Sequence, residues 1–176
     1  MTFSIEALTG RNLKLFSKMS KIDMSTNPKL AKEIAEDLLH RTGDALISGD
    51  FEAFIDCFHL PHSVLTSNGE NKLETAADAE RVFKSVREFH KRAGVTEMVR
   101  HSIAAEFCDP DTINATHETR LLSQNRLVEE PYPVFSVLRK IDGKWVGVSS
   151  EYAIPPAAKT LSTALDSKSG TPPESC

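Results

Sequence analysis

At Val95 the hydrophobic period of this chain changes from helical to alternating, and it does not change back. Helices first and a run of strands afterwards is an α+β order. It disfavours a doubly wound parallel sheet, which needs strand and helix in alternation. The expected architecture is a set of N-terminal helices packed into the hollow of a curved, mostly antiparallel β-sheet.

The helical half is well punctuated. Asn27-Pro28 is a favoured helix start. Leu30, Ile34, Leu38, Leu39, Ala45 and Leu46 then form an apolar stripe that Gly49 ends. Asp50 caps a short second helix, with Phe51, Phe54, Ile55 and Phe58 on its apolar face and Pro61 as its stop. His62 to Thr66 reads as a short strand, and Lys72 to Glu74 as its pair across a turn at Ser67-Asn68-Gly69. Thr75 caps a third helix from Ala76 to about Lys91, burying Ala79, Val82, Phe83, Val86 and Phe89. Gly94 closes it.

In the alternating half, strands are expected over 96–107, 112–122, 133–141 and 144–154, with Asp142-Gly143 as a tight hairpin turn. The domain spans 27–156. Residues 1–26 carry Arg11, Lys14, Lys18 and Lys21 against Glu6 and Asp23, with Leu15, Phe16, Met19 and Ile22 at helical spacing. They read as an N-terminal arm packing on the domain, with a short membrane-surface helix as the alternative. The tail over 157–176, rich in Ser, Thr, Lys and Pro, reads as flexible.

Composition removes whole classes. Of the 176 residues, 40% are hydrophobic and 26% charged, which suits one globular domain. The net charge of −4 argues against a nucleic-acid partner. Three cysteines without metal-ligand spacing argue for free thiols in a reducing, cytoplasmic compartment. The sequence holds no apolar run long enough for a transmembrane segment. Phosphate-cradling glycine loops are also missing, and neither a cofactor nor a metal is expected.

Two stretches resemble a known family. Ala45-Leu-Ile-Ser-Gly-Asp-Phe-Glu-Ala-Phe-Ile-Asp-Cys-Phe58 is similar to the opening of the nuclear transport factor 2-like superfamily, which includes the SnoaL-like and ketosteroid-isomerase-like proteins. Leu138-Arg-Lys-Ile-Asp-Gly-Lys-Trp-Val146 is similar to the hairpin before that family's last strand. The resemblance runs from Pro28 to Ile154 and implies a cystatin-like cone and a SnoaL-like homodimer joined through its outer sheet face. One such scaffold hosts isomerases, dehydratases, cyclases and non-catalytic modules, so fold leaves function open. Ketosteroid-isomerase chemistry needs a carboxylate base and two oxyanion donors. Ungapped matching puts Thr42, Thr66 and Val137 at those positions, so that chemistry is not expected.

Strand parity assigns the candidate site. Val99, His101, Ile103, Ala105 and Phe107 share one face of the first long strand, with Arg100 on the other. His117 and Thr119 share a face of the next. On the last strand Val148, Ser150 and Tyr152 share a face, which the resemblance makes concave. The candidates are His117, His101 and Tyr152 as catalytic groups, with Ser150, Thr119, Val148, Phe54 and Phe83 lining the substrate pocket. His59 and His62 flank Pro61 and read as corner residues. Cys57 has no activating base nearby and reads as inert. The expected function is binding a small apolar or mixed-polarity organic molecule, with acid/base isomerisation, dehydration or cyclisation. The alternative is a non-catalytic homodimeric module with a structural pocket.

Overall fold

The structure is a computed structural model that describes residues 27–154 and 164–165. The N-terminal arm and nearly all of the tail lie outside the described residues. Helix α1 spans Pro28–Ser48 and α2 spans Phe51–Ile55. Strands β1 (Phe58–Thr66) and β2 (Gly69–Leu73) follow, then α3 (Ala76–Arg92). Strands β3 (Glu97–Asp109), β4 (Thr112–Ser123), β5 (Arg126–Leu127), β6 (Tyr132–Ile141) and β7 (Lys144–Tyr152) complete the sheet. The architecture is α+β, as the period change predicts.

The helix boundaries follow from their caps. The Asn27 side chain accepts from the backbone of Lys29 and Leu30, and Gly49 takes a left-handed φ of 87° that ends α1. Arg87 reaches across from α3 to donate to the Leu46 and Ile47 carbonyls, satisfying groups that the end of α1 leaves open. At α3, Thr75 and Asp78 form a reciprocal capping box.

The strand order is β2-β1-β7-β6-β4-β3, with β5 paired to β4. Every pairing is antiparallel except β1 with β7. Two corrections to the expected strands have physical causes. Strand β1 begins at Phe58 and runs through Pro61, where a helix stop is predicted. Proline is tolerated there because β2 pairs only from His62 onward and β7 pairing lapses between Phe58 and Ser63. The second correction lies in β3. Ser102 opposes His117, but Ala104 opposes Thr116, so Ile103 is an extra residue. Such a bulge inverts the alternation on one side of it.

Two apolar clusters hold the helices to the concave face. Under α1, Ala31, Ala35 and Leu38 pack on Ile113, Ala115, Leu138 and Cys57. Under α3, Ala79, Val82, Val86 and Phe89 pack with Val64, Leu73, Leu121, Tyr132 and Val134. Ala164 and Leu165 are buried in this second cluster, and the Leu165 carbonyl accepts from the Asn71 amide at 3.0 Å. Among the described residues, no helix is long and apolar enough to cross a membrane.

Candidate functional site

Between the two clusters lies a cavity of about 840 Å³ counting its open mouth, and a second of about 520 Å³ adjoins it. The larger is walled by helices on one side and the sheet on the other. Its walls are mainly apolar, from Leu46, Phe54, Phe83, Val82 and Val86 on the helical side. Phe54 stacks against Phe58 and Phe83 with centroids 4.8 and 4.9 Å apart. These rings form a wall without filling the hollow, and Phe89 is buried behind it in the core.

Adjacent strands build the polar wall. Arg100 on β3 opposes Thr119 on β4, which opposes Tyr132 on β6. One row along, His117 opposes Ser102 and Val134, and Val134 opposes Tyr152 on β7. Arg100, His117, Tyr152, Thr42 and Phe58 border both cavities.

Arg100 is the cation of this wall. Its Nη2 donates to the Leu39 carbonyl and, at 2.9 Å, to Thr42 Oγ1. Thr42 uses its own hydroxyl proton on the Leu38 carbonyl at 2.9 Å, so a lone pair is left for the guanidinium. Gly43 permits this approach, since a Cβ there would sit 2.7 Å from Arg100 Nη2. The position that ungapped matching assigns to a catalytic tyrosine therefore carries a threonine that holds a guanidinium.

Three imidazoles also line the larger cavity: His62, His90 and His117. Burial lowers all three pKa values, to about 4, about 4 and about 3. The Arg100 charge adds to this at His90 and His117, and Arg87 adds further at His90. All three are neutral at pH 7. His62 Nδ1 lies 3.3 Å from the Gly147 carbonyl, an acceptor only, which assigns the proton to Nδ1 and leaves Nε2 a lone pair. Burial raises the phenol pKa values of Tyr132 and Tyr152, so both remain protonated donors, and Tyr152 hydrogen-bonds Ser150.

The expected site residues divide. His117, Thr119, Tyr152, Phe54 and Phe83 line the larger cavity, and Ser150 lines the smaller. His101 does not face the hollow. It is exposed on the outer face, opposite Glu118, because the extra residue at Ile103 inverts the parity of the preceding stretch. The same inversion turns Arg100 inward, against the expectation that it lies on the outer face. Val148 lines neither cavity, since Val137 opposes Ser149 while Leu138 opposes Gly147, leaving Val148 as the odd residue of a second irregularity.

His62, expected at a corner, is 3% exposed and is part of the wall. Its parity with Val64 and Thr66 carries that signal. His90, which no motif marks, extends the Val82, Phe83, Val86, Phe89 stripe of α3. Cys57 is buried, its Sγ donates to the Ala53 carbonyl at 3.4 Å, and burial raises its pKa, so the thiol is not activated. Among the described residues no three His, Cys, Asp or Glu side chains cluster as metal ligands.

No family model matches the chain, and no curated protein matches it. Solved structures do. A Nostoc punctiforme protein of unknown function with a cystatin-like fold is 18% identical, with a TM-score of 0.57, over 73% of this chain and 93% of that one. A nuclear transport factor 2-like protein of unknown function from Shewanella oneidensis is 11% identical, with a TM-score of 0.56, over 69% and 98%. A Streptomyces avermitilis protein of the same family, for which a dehydratase activity is proposed, is 15% identical, with a TM-score of 0.55, over 73% and 99%. With its helices laid in the hollow of a curved sheet, this chain has the cystatin-like, nuclear transport factor 2-like fold.

Proposed function

We propose that this chain binds a small organic molecule in the hollow and carries out acid/base chemistry on it (isomerisation, dehydration or cyclisation) without a bound cofactor. The carrying observation is convergence. Neutral imidazoles, two phenols and one guanidinium meet on a cavity whose other walls are apolar. His117 is the proposed base and Tyr152 the proposed donor to developing negative charge. His117 takes a proton from the substrate, the released electron pair moves onto a substrate oxygen, and Tyr152 donates a hydrogen bond to that oxygen. Thr119, Ser150, Phe54 and Phe83 position the ligand.

Native mass spectrometry of the purified protein tests this first, through a retained small molecule. Thermal shifts against a small-molecule library follow, comparing wild type with His117→Ala. The expected result is a ligand that stabilises wild type and binds the variant about tenfold more weakly, as loss of one buried hydrogen bond implies. No retained molecule and no stabilising compound would remove the reading.

A second reading is favoured by the outer sheet face, where Val99, Ile103 and Phe135 are 37%, 53% and 42% exposed. On this reading the chain is a homodimer through that face, residing in the cytoplasm, where the thiols of Cys57 and Cys108 stay free. Light scattering is expected to give the mass of two chains, and Phe135→Lys that of one. A monomeric wild type at micromolar concentration sinks the dimer.

A further inference from the structure

We propose that Arg100, seated against Thr42 at the border of the two cavities, is the receptor for the carboxylate of a small organic acid whose apolar body lies among Phe54, Phe83 and Val86. This rests on the pocket reading above and narrows its ligand to a chemical class.

The first support is a cation with no carboxylate at ion-pair distance, Asp44 acting on it only from farther off. Among the described residues no ion pair includes Arg100. Neither cavity is lined by an aspartate or a glutamate. A desolvated cation is costly unless an anion meets it.

The second support is a set of uncommitted donors. A guanidinium has five N–H groups, and the hydrogen bonds found here, to Leu39 and Thr42, use only Nη2. The Nε–H and the two N–H groups of Nη1 are left to donate singly to acceptors in the cavity, and a carboxylate oxygen makes the strongest such bond.

The third support is that the guanidinium is held in place. Leu39 and Thr42 tie Nη2 to α1 beside Gly43, the one residue type that leaves room for it there. His117 and His90, both facing the same hollow, carry N–H groups that can reach a second acceptor on the ligand. A single cation over apolar rings selects a monoanion with a hydrophobic body over inorganic phosphate.

The experiment is calorimetric titration with matched pairs: benzoate against benzamide, and hexanoate against hexanamide. Wild type is expected to bind each acid about ten- to a hundredfold more tightly than its amide, the worth of a charge-assisted hydrogen bond. Arg100→Met should abolish that preference while leaving amide affinity within about threefold. Gly43→Ala keeps the charge and a good helix former but drives the guanidinium off its seat, so acid affinity should fall about tenfold with the fold intact by circular dichroism. If acid and amide bind wild type equally, or if Arg100→Met keeps the preference, the proposal is overturned and the pocket reading stands. If no probe of either kind binds at millimolar concentration, both fall.

Discussion

Between pH 6.5 and about pH 5 the fold is expected to lose about 5 kcal/mol of stability, from three buried histidines alone. His62, His90 and His117 are 3%, 7% and 8% exposed, so each is neutral when folded and free to protonate when unfolded. Their folded pKa values lie below the unfolded value of 6.5, at about 4, about 4 and about 3. Within that window the unfolded chain binds more protons, so stability rises with pH. It is fully present above 6.5 and drains away as pH falls towards 4. Each group contributes about 1.4 kcal/mol per pH unit. Native proteins hold only about 5–15 kcal/mol, so the acid limb should begin unusually early.

Aspartates act in a different window. Asp78, held to about 2 by Thr75 and Arg81, loses its contribution only as pH falls below about 4. Urea titrations at pH 7, 6 and 5 separate the two. The midpoint should drop steadily over that range, and His62→Gln should reduce the slope by about a third. Equal stability at pH 7 and pH 5 would show that the imidazoles are not buried neutral.

The other large effect is expected at Ile113. It is fully buried where α1 meets the sheet, with Phe107 opposite on β3 and Leu138 opposite on β6. The small side chains of Ala31 and Ala35 let the helix sit close enough to surround it. Ile113→Ala should cost about 4 kcal/mol, because tight surroundings cannot collapse into the void. Leu46 borders the cavity, so truncating it removes a side chain that already lacks neighbours on one side. Leu46→Ala is expected to cost about 2 kcal/mol or less. Equal costs would mean that the hollow closes in solution.

Much of this architecture was legible in the residues. Asn27-Pro28, Gly49 and Thr75 mark helix ends by local chemistry that tertiary context did not override. The alternation beyond Val95 gave the strands, and it placed His117 and Thr119 correctly because β4 alternates without interruption between Ile113 and Leu121. The site was half legible. His90 lies on the apolar stripe of α3 and could have been taken from it. Arg100 could not, because β3 pairing decides that Ile103 is extra, and nothing in Val99-Arg-His-Ser-Ile-Ala104 announces it. The same holds for Val148 in β7. A period of two is read from one strand, whereas a bulge is a property of two.

That bulge has a consequence for heredity. Arg100 and His101 are neighbours in the gene, and the bulge at Ile103 decides which of them the interior contains. Were Ile103 paired into the ladder with no residue lost, strict alternation would return and the register of the preceding stretch would slip by one, exchanging the two. It would put an imidazole into the hollow and a permanent cation onto the outer face. Two chains differing in whether that bulge forms would then share a fold and most of a sequence while offering their ligands opposite chemistry. Comparison of relatives by residue identity would miss the event. Alignment of their strand registers would find it.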